Sequence, residues 1–145
     1  MSIEVQSEQA MKALAENIGK RLHGGEVFEL VGDVGAGKTT FVKGLAKGLA
    51  VEDEVQSPSF TISRVYDARD QLQLAHYDFY RLNDAGILAD ELAEVTKDTT
   101  TITVIEWADI VDGVLPEHRY TITFASPSET TRTVTLPEAL AEYTA

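Results

Sequence analysis

GDVGAGKTT, residues 32–40, decides how the rest of the chain is read. Gly32, Gly35 and Gly37 crowd into one short run, and Lys38 follows at once. An ordinary solvent loop needs neither the extra glycines nor the lysine. The spacing Gly32-x-x-x-x-Gly37-Lys38-Thr39 is that of a phosphate-binding loop. Glycines let backbone N–H groups curl toward phosphate oxygens, and a helix N-terminus adds partial positive charge. Lys38 then neutralises the outer phosphates, and the Thr39 hydroxyl offers a ligand to Mg²⁺. A glycine-rich turn before a helix is the plain alternative, and it leaves the lysine without a purpose.

The flanks supply the strand and the helix that such a loop needs. Val27 to Val31 (VFELV) reads as a short buried strand. A helix begins near Lys38, with Phe41, Leu45 and Leu49 on its apolar stripe and Lys43 and Lys47 turned away. Upstream, Ser7 is a candidate N-cap, followed by Met11, Leu14, Ile18 and Leu22 at helical spacing. Gly24-Gly25 is the expected stop. Downstream, Phe60–Tyr66 and Leu72–Phe79 read as a hairpin around a turn at Asp67–Asp70. Residues 84–95 read as a helix and Ile102–Ile105 as a buried strand. Tyr120–Phe124 and Arg132–Leu136 alternate as a second β pair, and a short helix is expected after Pro137. This order predicts an α/β fold. Its sheet is mixed, with parallel central strands, antiparallel edge strands and helices on both faces. No repeat or linker divides the sequence, so residues 1–145 are expected to form a single P-loop ATPase domain.

Composition narrows the function. The chain carries 24 acidic against 12 basic residues, a formal net charge of −12. Such a surface repels the phosphates of nucleic acids and anionic membranes. With no cysteines, disulfides, thiolate metal sites and cysteine nucleophiles are excluded. MSIEVQSEQA has neither the basic region nor the apolar core of a secretory signal. No apolar run approaches the ~20 residues of a membrane helix. A soluble, cytoplasmic protein is expected.

A nucleotide site of this class needs a second acid on the Mg²⁺ side, at the end of a buried strand. TITVIE, residues 101–106, ends on Glu106, which would hold Mg²⁺ directly or through water. In HYDFYR, residues 76–81, a strand sends His76 and Asp78 to one face and Tyr77 and Phe79 to the other. Asp78 falls near the strand end, where open α/β sheets present their ligand crevice. It would orient the attacking water, tie the site to a moving loop, or simply cap the following turn. His76 reads as a hydrogen-bonded structural histidine, and Arg81 as a salt-bridge partner. Trp107 reads as a core or interface residue. Ser57, Ser59 and Thr61 offer hydroxyls able to sense a γ-phosphate, though an ordinary loop-to-strand turn explains SPSF as well.

Taken together and in this order, GDVGAGKTT, SPSF, HYDFYR and the strand-end IEW resemble the TsaE (YjeE) family. Those proteins are small bacterial P-loop ATPases needed to make threonylcarbamoyladenosine in tRNA. The family usually has Thr where Ser59 stands and often Pro where Ala108 stands; the first change keeps a hydroxyl. The resemblance implies ATP and Mg²⁺ as cofactors, with Lys38, Asp78 and Glu106 as catalytic residues. It implies a nucleotide contact set of Asp33, Gly35, Ala36, Gly37, Lys38, Thr39, Thr40, Ser57 and Thr61, with Thr39 and Glu106 on the metal. The implied partners are TsaD and TsaB, with the transfer itself on TsaD and tRNA reached only through that complex.

Two other classes stay open on the residues alone. A small-molecule phosphotransferase would need a second anion pocket, but the six arginines are dispersed at 21, 64, 69, 81, 119 and 132. A nucleotide sensor that does not hydrolyse would share the loop and differ only in turnover. No Asn-Lys-x-Asp run supports guanine selection.

Overall fold

A computed structural model describes residues 1–33, 35–56, 62–80, 82, 84 and 86–144. Among these, seven strands form one sheet in the order β1-β7-β6-β2-β5-β4-β3. The strands are β1 (Ser2–Val5), β2 (Val27–Val31), β3 (Ser63–Asp67), β4 (Gln73–Asp78), β5 (Thr101–Glu106), β6 (Tyr120–Ala125) and β7 (Arg132–Thr135). The central four, β6, β2, β5 and β4, are parallel; β1, β7 and β3 pair antiparallel at the edges. The mixed sheet and both predicted hairpins are therefore present.

Helices α1 (Glu8–Gly19) and α2 (Lys38–Gly48) cover one face, while α3 (Leu88–Val95) and a 3-10 segment at Ala108–Val114 cover the other. Period-two alternation in the strands feeds both cores. Phe28, Leu30, Leu74, Ile102 and Val104 meet the first pair of helices, and Val27, Ala75, Tyr77 and Ile105 meet the second group. Tyr77 donates to Glu91 Oε1 of α3 at 3.2 Å. Burial, with Glu91 beside it, pushes the Tyr77 hydroxyl up to about 12.

α1 starts where Ser7 predicts, with Ser7 Oγ accepting from Ala10 N at 3.0 Å. It stops at Gly19, well before Gly24-Gly25. The reason lies outside the helix. Arg69 Nη2 donates to the carbonyls of Gly19 and Lys20, each at 2.9 Å, and of Leu22 at 3.0 Å. A guanidinium from the hairpin thus adds to the Leu22 N–H at the Gly19 oxygen and supplies donors to the Lys20 and Leu22 oxygens. Side-chain-free positions let α1 and α2 come close. A Cβ on Gly44 would lie 2.5 Å from the Lys12 carbonyl oxygen, and one on Gly48 would lie 2.4 Å from that of Glu16.

Two further differences from the sequence reading stand out. α3 begins at Leu88 rather than 84, because Asp84 Oδ1 accepts from Gly86 N at 2.9 Å and holds a turn there. The short helix expected after Pro137 is present as a 3-10 segment at Glu138–Thr144. β1 was not expected; it is short, mostly exposed and held by β7 from the far end of the chain. The start of the first hairpin strand, with Ser57 to Thr61, lies outside the described residues.

Candidate active site

Three parallel strands end at one level. Register places Leu30 of β2 beside Glu106 of β5, and Glu106 beside Asp78 of β4. The loop of the opening motif leaves β2 at this same level, between its parallel neighbours β5 and β6, where open α/β sheets present a crevice. The backbone there is glycine-dependent. Gly35 has φ 83° and Gly37 has φ 107°, values that side chains other than glycine rarely adopt. Gly37 is the N-cap of α2 and no side chain among the described residues caps that helix, which leaves its first-turn N–H groups to an anion.

Lys38 is only 5% exposed. Its Nζ donates to the Gly32 carbonyl at 2.6 Å, stands 3.9 Å from Glu106 Oε1 and lies 4.2 Å over the Trp107 ring. Burial pulls Lys38 below the usual lysine range, while Glu106, Asp78 and Asp33 pull it back up, in that order. The ammonium is therefore held in the fold against its own desolvation. Glu106 is 3% exposed and His76 fully buried; His76 Nε2 lies 2.6 Å from Glu106 Oε2. Asp78 is buried on the same face, and its Oδ1 accepts from Tyr80 N at 3.0 Å. The turn-capping reading of Asp78 is thus realised, in a residue that also borders the crevice.

These residues surround a cleft of about 650 Å³. Gly35, Gly37, Lys38, Thr39, Thr40, Asp78 and Glu106 all line it. Ala36 is buried beneath the loop and Asp33 is exposed beside it. Ser57, Thr61 and Arg81 lie outside the described residues. The opposite wall was not foreseen. Gln6, Ser7, Glu8 and Met11 contribute from the start of α1, Glu129, Thr130 and Arg132 from the β6–β7 turn, and Tyr80 from beyond β4. No local pattern marks these residues, because chain folding alone brings the start of α1 and the β6–β7 hairpin to the loop. Arg132 is the one arginine among the described residues that lines the cleft, and its Nη1 is bound to the carbonyls of Ser128, Glu129 and Thr131.

Trp107 packs against the second core, as read from the sequence, and its backbone is left-handed, with φ 58° and ψ 54°. Holding a bulky residue there costs of order 1–3 kcal/mol. The turn swings the ring over Lys38 and against Tyr80, with ring centroids 4.8 Å apart. His76, read as structural, is bonded into the site itself.

The donor set fits a Mg²⁺–triphosphate. No group of three or more His, Asp or Glu side chains among the described residues could hold a metal alone. One hydroxyl and one or two carboxylates beside an anion cradle is instead the pattern in which Mg²⁺ takes remaining ligands from phosphate and water.

Comparison with known proteins places the chain in a family. Residues 5–134 match the family model described as "Threonylcarbamoyl adenosine biosynthesis protein TsaE". A TsaE protein of Treponema pallidum is 40% identical over 119 residues, covering 82% of this chain and 87% of its own. One from Aquifex aeolicus is 44% identical over 115 residues, covering 72% of this chain and 86% of its own. The crystal structure of Bacillus subtilis YdiB superposes with a TM-score of 0.76 at 32% identity, over 94% of this chain and 83% of that one. With the family model matched over residues 5–134 and relatives 40% and 44% identical over most of its length, the chain belongs to the TsaE family of threonylcarbamoyl adenosine biosynthesis proteins.

Proposed function

We propose that this protein binds ATP with Mg²⁺ and hydrolyses it weakly, in support of a TsaD–TsaB complex that installs threonylcarbamoyladenosine in tRNA. The observation that carries the reading is the convergence of Lys38, Thr39, Asp78 and Glu106 on one cleft at the uncapped start of α2. In it, the first-turn N–H groups of α2 and the Lys38 ammonium bind the phosphates and stabilise charge on the transferring phosphoryl group. Thr39 and Glu106 would hold the metal, which when bound would neutralise charge on the phosphates. Asp78, on the same side of the sheet, positions the water or couples the site to the segment beyond Tyr80. The wall made by α1 and the β6–β7 turn receives the nucleoside end.

The charge of −12 argues that tRNA is reached through protein partners rather than gripped directly. No helix among the described residues is long and apolar enough to cross a membrane, in keeping with a cytoplasmic role. A kinase-like transfer to a small molecule lacks the second cluster of cationic side chains among the described cleft residues.

The test is phosphate release and ATP calorimetry, with and without TsaD–TsaB. Mg²⁺-dependent binding and turnover raised by the partners are expected, with Lys38→Ala losing binding or turnover and Glu106→Ala losing the Mg²⁺-dependent activity. Normal turnover in both variants, or no binding by the parent protein, would refute the proposal. Tight, salt-sensitive binding of tRNA to the isolated protein would refute the indirect route.

A further inference from the structure

We propose that His76 is a positioning residue for the metal-side acid: its Nε2–H holds one oxygen of Glu106 and thereby presents the other to the cation. This rests on the ATP–Mg²⁺ reading above and adds a residue to it.

Glu106 has two oxygens with different fates. Oε2 is 2.6 Å from His76 Nε2, while Oε1 is the oxygen nearest Lys38, at 3.9 Å. Glu106 lines the cleft and His76 does not. His76 sits wholly inside the protein, on β4, in register with Val104 of the neighbouring β5. The ring therefore approaches the carboxylate from the protein side, and the ligand approaches from the cleft side.

The position of the ring proton follows from the surroundings. His76 Nδ1 is buried and has no hydrogen-bond partner among the described residues. A proton on Nδ1 would leave a buried N–H with no acceptor and would set the Nε2 lone pair against a carboxylate oxygen. A proton on Nε2 makes the short charge-assisted bond and leaves only an unprotonated acceptor on Nδ1. The bond then fixes the rotation of the carboxylate. A purely space-filling histidine would have no need of that contact; an apolar side chain of similar size would fill the space without leaving Nδ1 unsatisfied. Supporting bonds of this kind set the orientation of a ligating group, and their loss typically lowers metal affinity tenfold or more.

The experiment measures Mn²⁺ affinity, by electron paramagnetic resonance, of the full protein saturated with ADP. It compares the parent protein, His76→Leu and His76→Gln. ADP affinity in EDTA serves as the measure of the cradle without metal. We expect His76→Leu to weaken Mn²⁺ binding about tenfold with ADP affinity in EDTA unchanged, and His76→Gln, whose amide still donates, to recover to within about threefold of the parent. Unchanged Mn²⁺ affinity in His76→Leu, or equal loss in both variants, would overturn the proposal. A long-range ¹H–¹⁵N spectrum of the nucleotide-free parent needs no folded variant: a ring proton on Nε2 of His76 supports it and one on Nδ1 overturns it. Should the parent bind ADP and Glu106→Gln weaken Mn²⁺ while His76→Leu does not, only this proposal fails. Should the parent bind no nucleotide, the reading beneath it fails as well.

Discussion

Lys38 and Glu106 form a pair whose two halves should respond in opposite ways to removal. The charges are 3.9 Å apart and almost wholly buried. At an effective dielectric constant of about 20, Coulomb attraction at that distance is about 4 kcal/mol. Burial nevertheless outweighs the partners at Lys38, since it is the largest influence on that group and lowers it. Lys38→Met should therefore stabilise the nucleotide-free protein, by about 1 kcal/mol. Glu106 keeps its bond to His76, and the thioether keeps contact with Trp107. Glu106→Gln should do the reverse. It leaves the ammonium with the Gly32 carbonyl, an aromatic face and the weaker pull of Asp78 and Asp33, and should destabilise by about 3 kcal/mol. The double variant should return to about 1 kcal/mol above the parent, a coupling of about 3 kcal/mol, beneath the Coulomb ceiling. The assay is urea unfolding of all four proteins at pH 7 without nucleotide. Additivity to within about 0.5 kcal/mol, or a clear loss of stability in Lys38→Met, would refute the claim that this lysine is kept for a ligand at the fold's expense.

Three other outcomes follow from particular contacts. Because Lys38 is lowered in the folded protein, the native state sheds that proton before the unfolded chain does. Between the lowered value and 10.5 the unfolded state binds more protons, so stability relative to Lys38→Met should rise with pH there; urea unfolding at pH 8 to 10.5 checks it, and a flat or falling difference would contradict it. Gly44→Ala gains about 1 kcal/mol in helix propensity but drives a methyl into the Lys12 carbonyl and the Ala15 side chain, so a net loss of about 2 kcal/mol is expected in a thermal melt. Arg69→Met removes the donors to three carbonyls at the end of α1 and should cost about 2 kcal/mol in urea, with amide exchange rising in the last turn of α1.

The sequence is informative where chemistry is local. The glycine loop, its strand and its helix lie within some twenty consecutive residues, and Glu106 and Asp78 are legible because alternation and strand ends locate them. The parallel centre and antiparallel edges could be inferred from element order. What stayed hidden depends on partners far along the chain. β1 exists only because β7 pairs with it, α1 ends early because Arg69 reaches across from the hairpin, and the wall of Ser7, Thr130 and Arg132 is assembled by folding. The left-handed turn at Trp107 has no glycine to announce it, and the bond from His76 to Glu106 joins two strands whose register periodicity does not fix.

The matched level of Leu30, Glu106 and Asp78 limits how this chain can tolerate insertions and deletions. One residue gained or lost within Thr101–Glu106 would send the acid through the sheet to the opposite side, beside Leu92 and Val111. The same change in the turn ahead of that strand, around Asp98 to Thr100, would leave it in place. Length variation among related chains should therefore gather at the pole away from the cleft, with β4 and β5 kept at constant length like the teeth of a key.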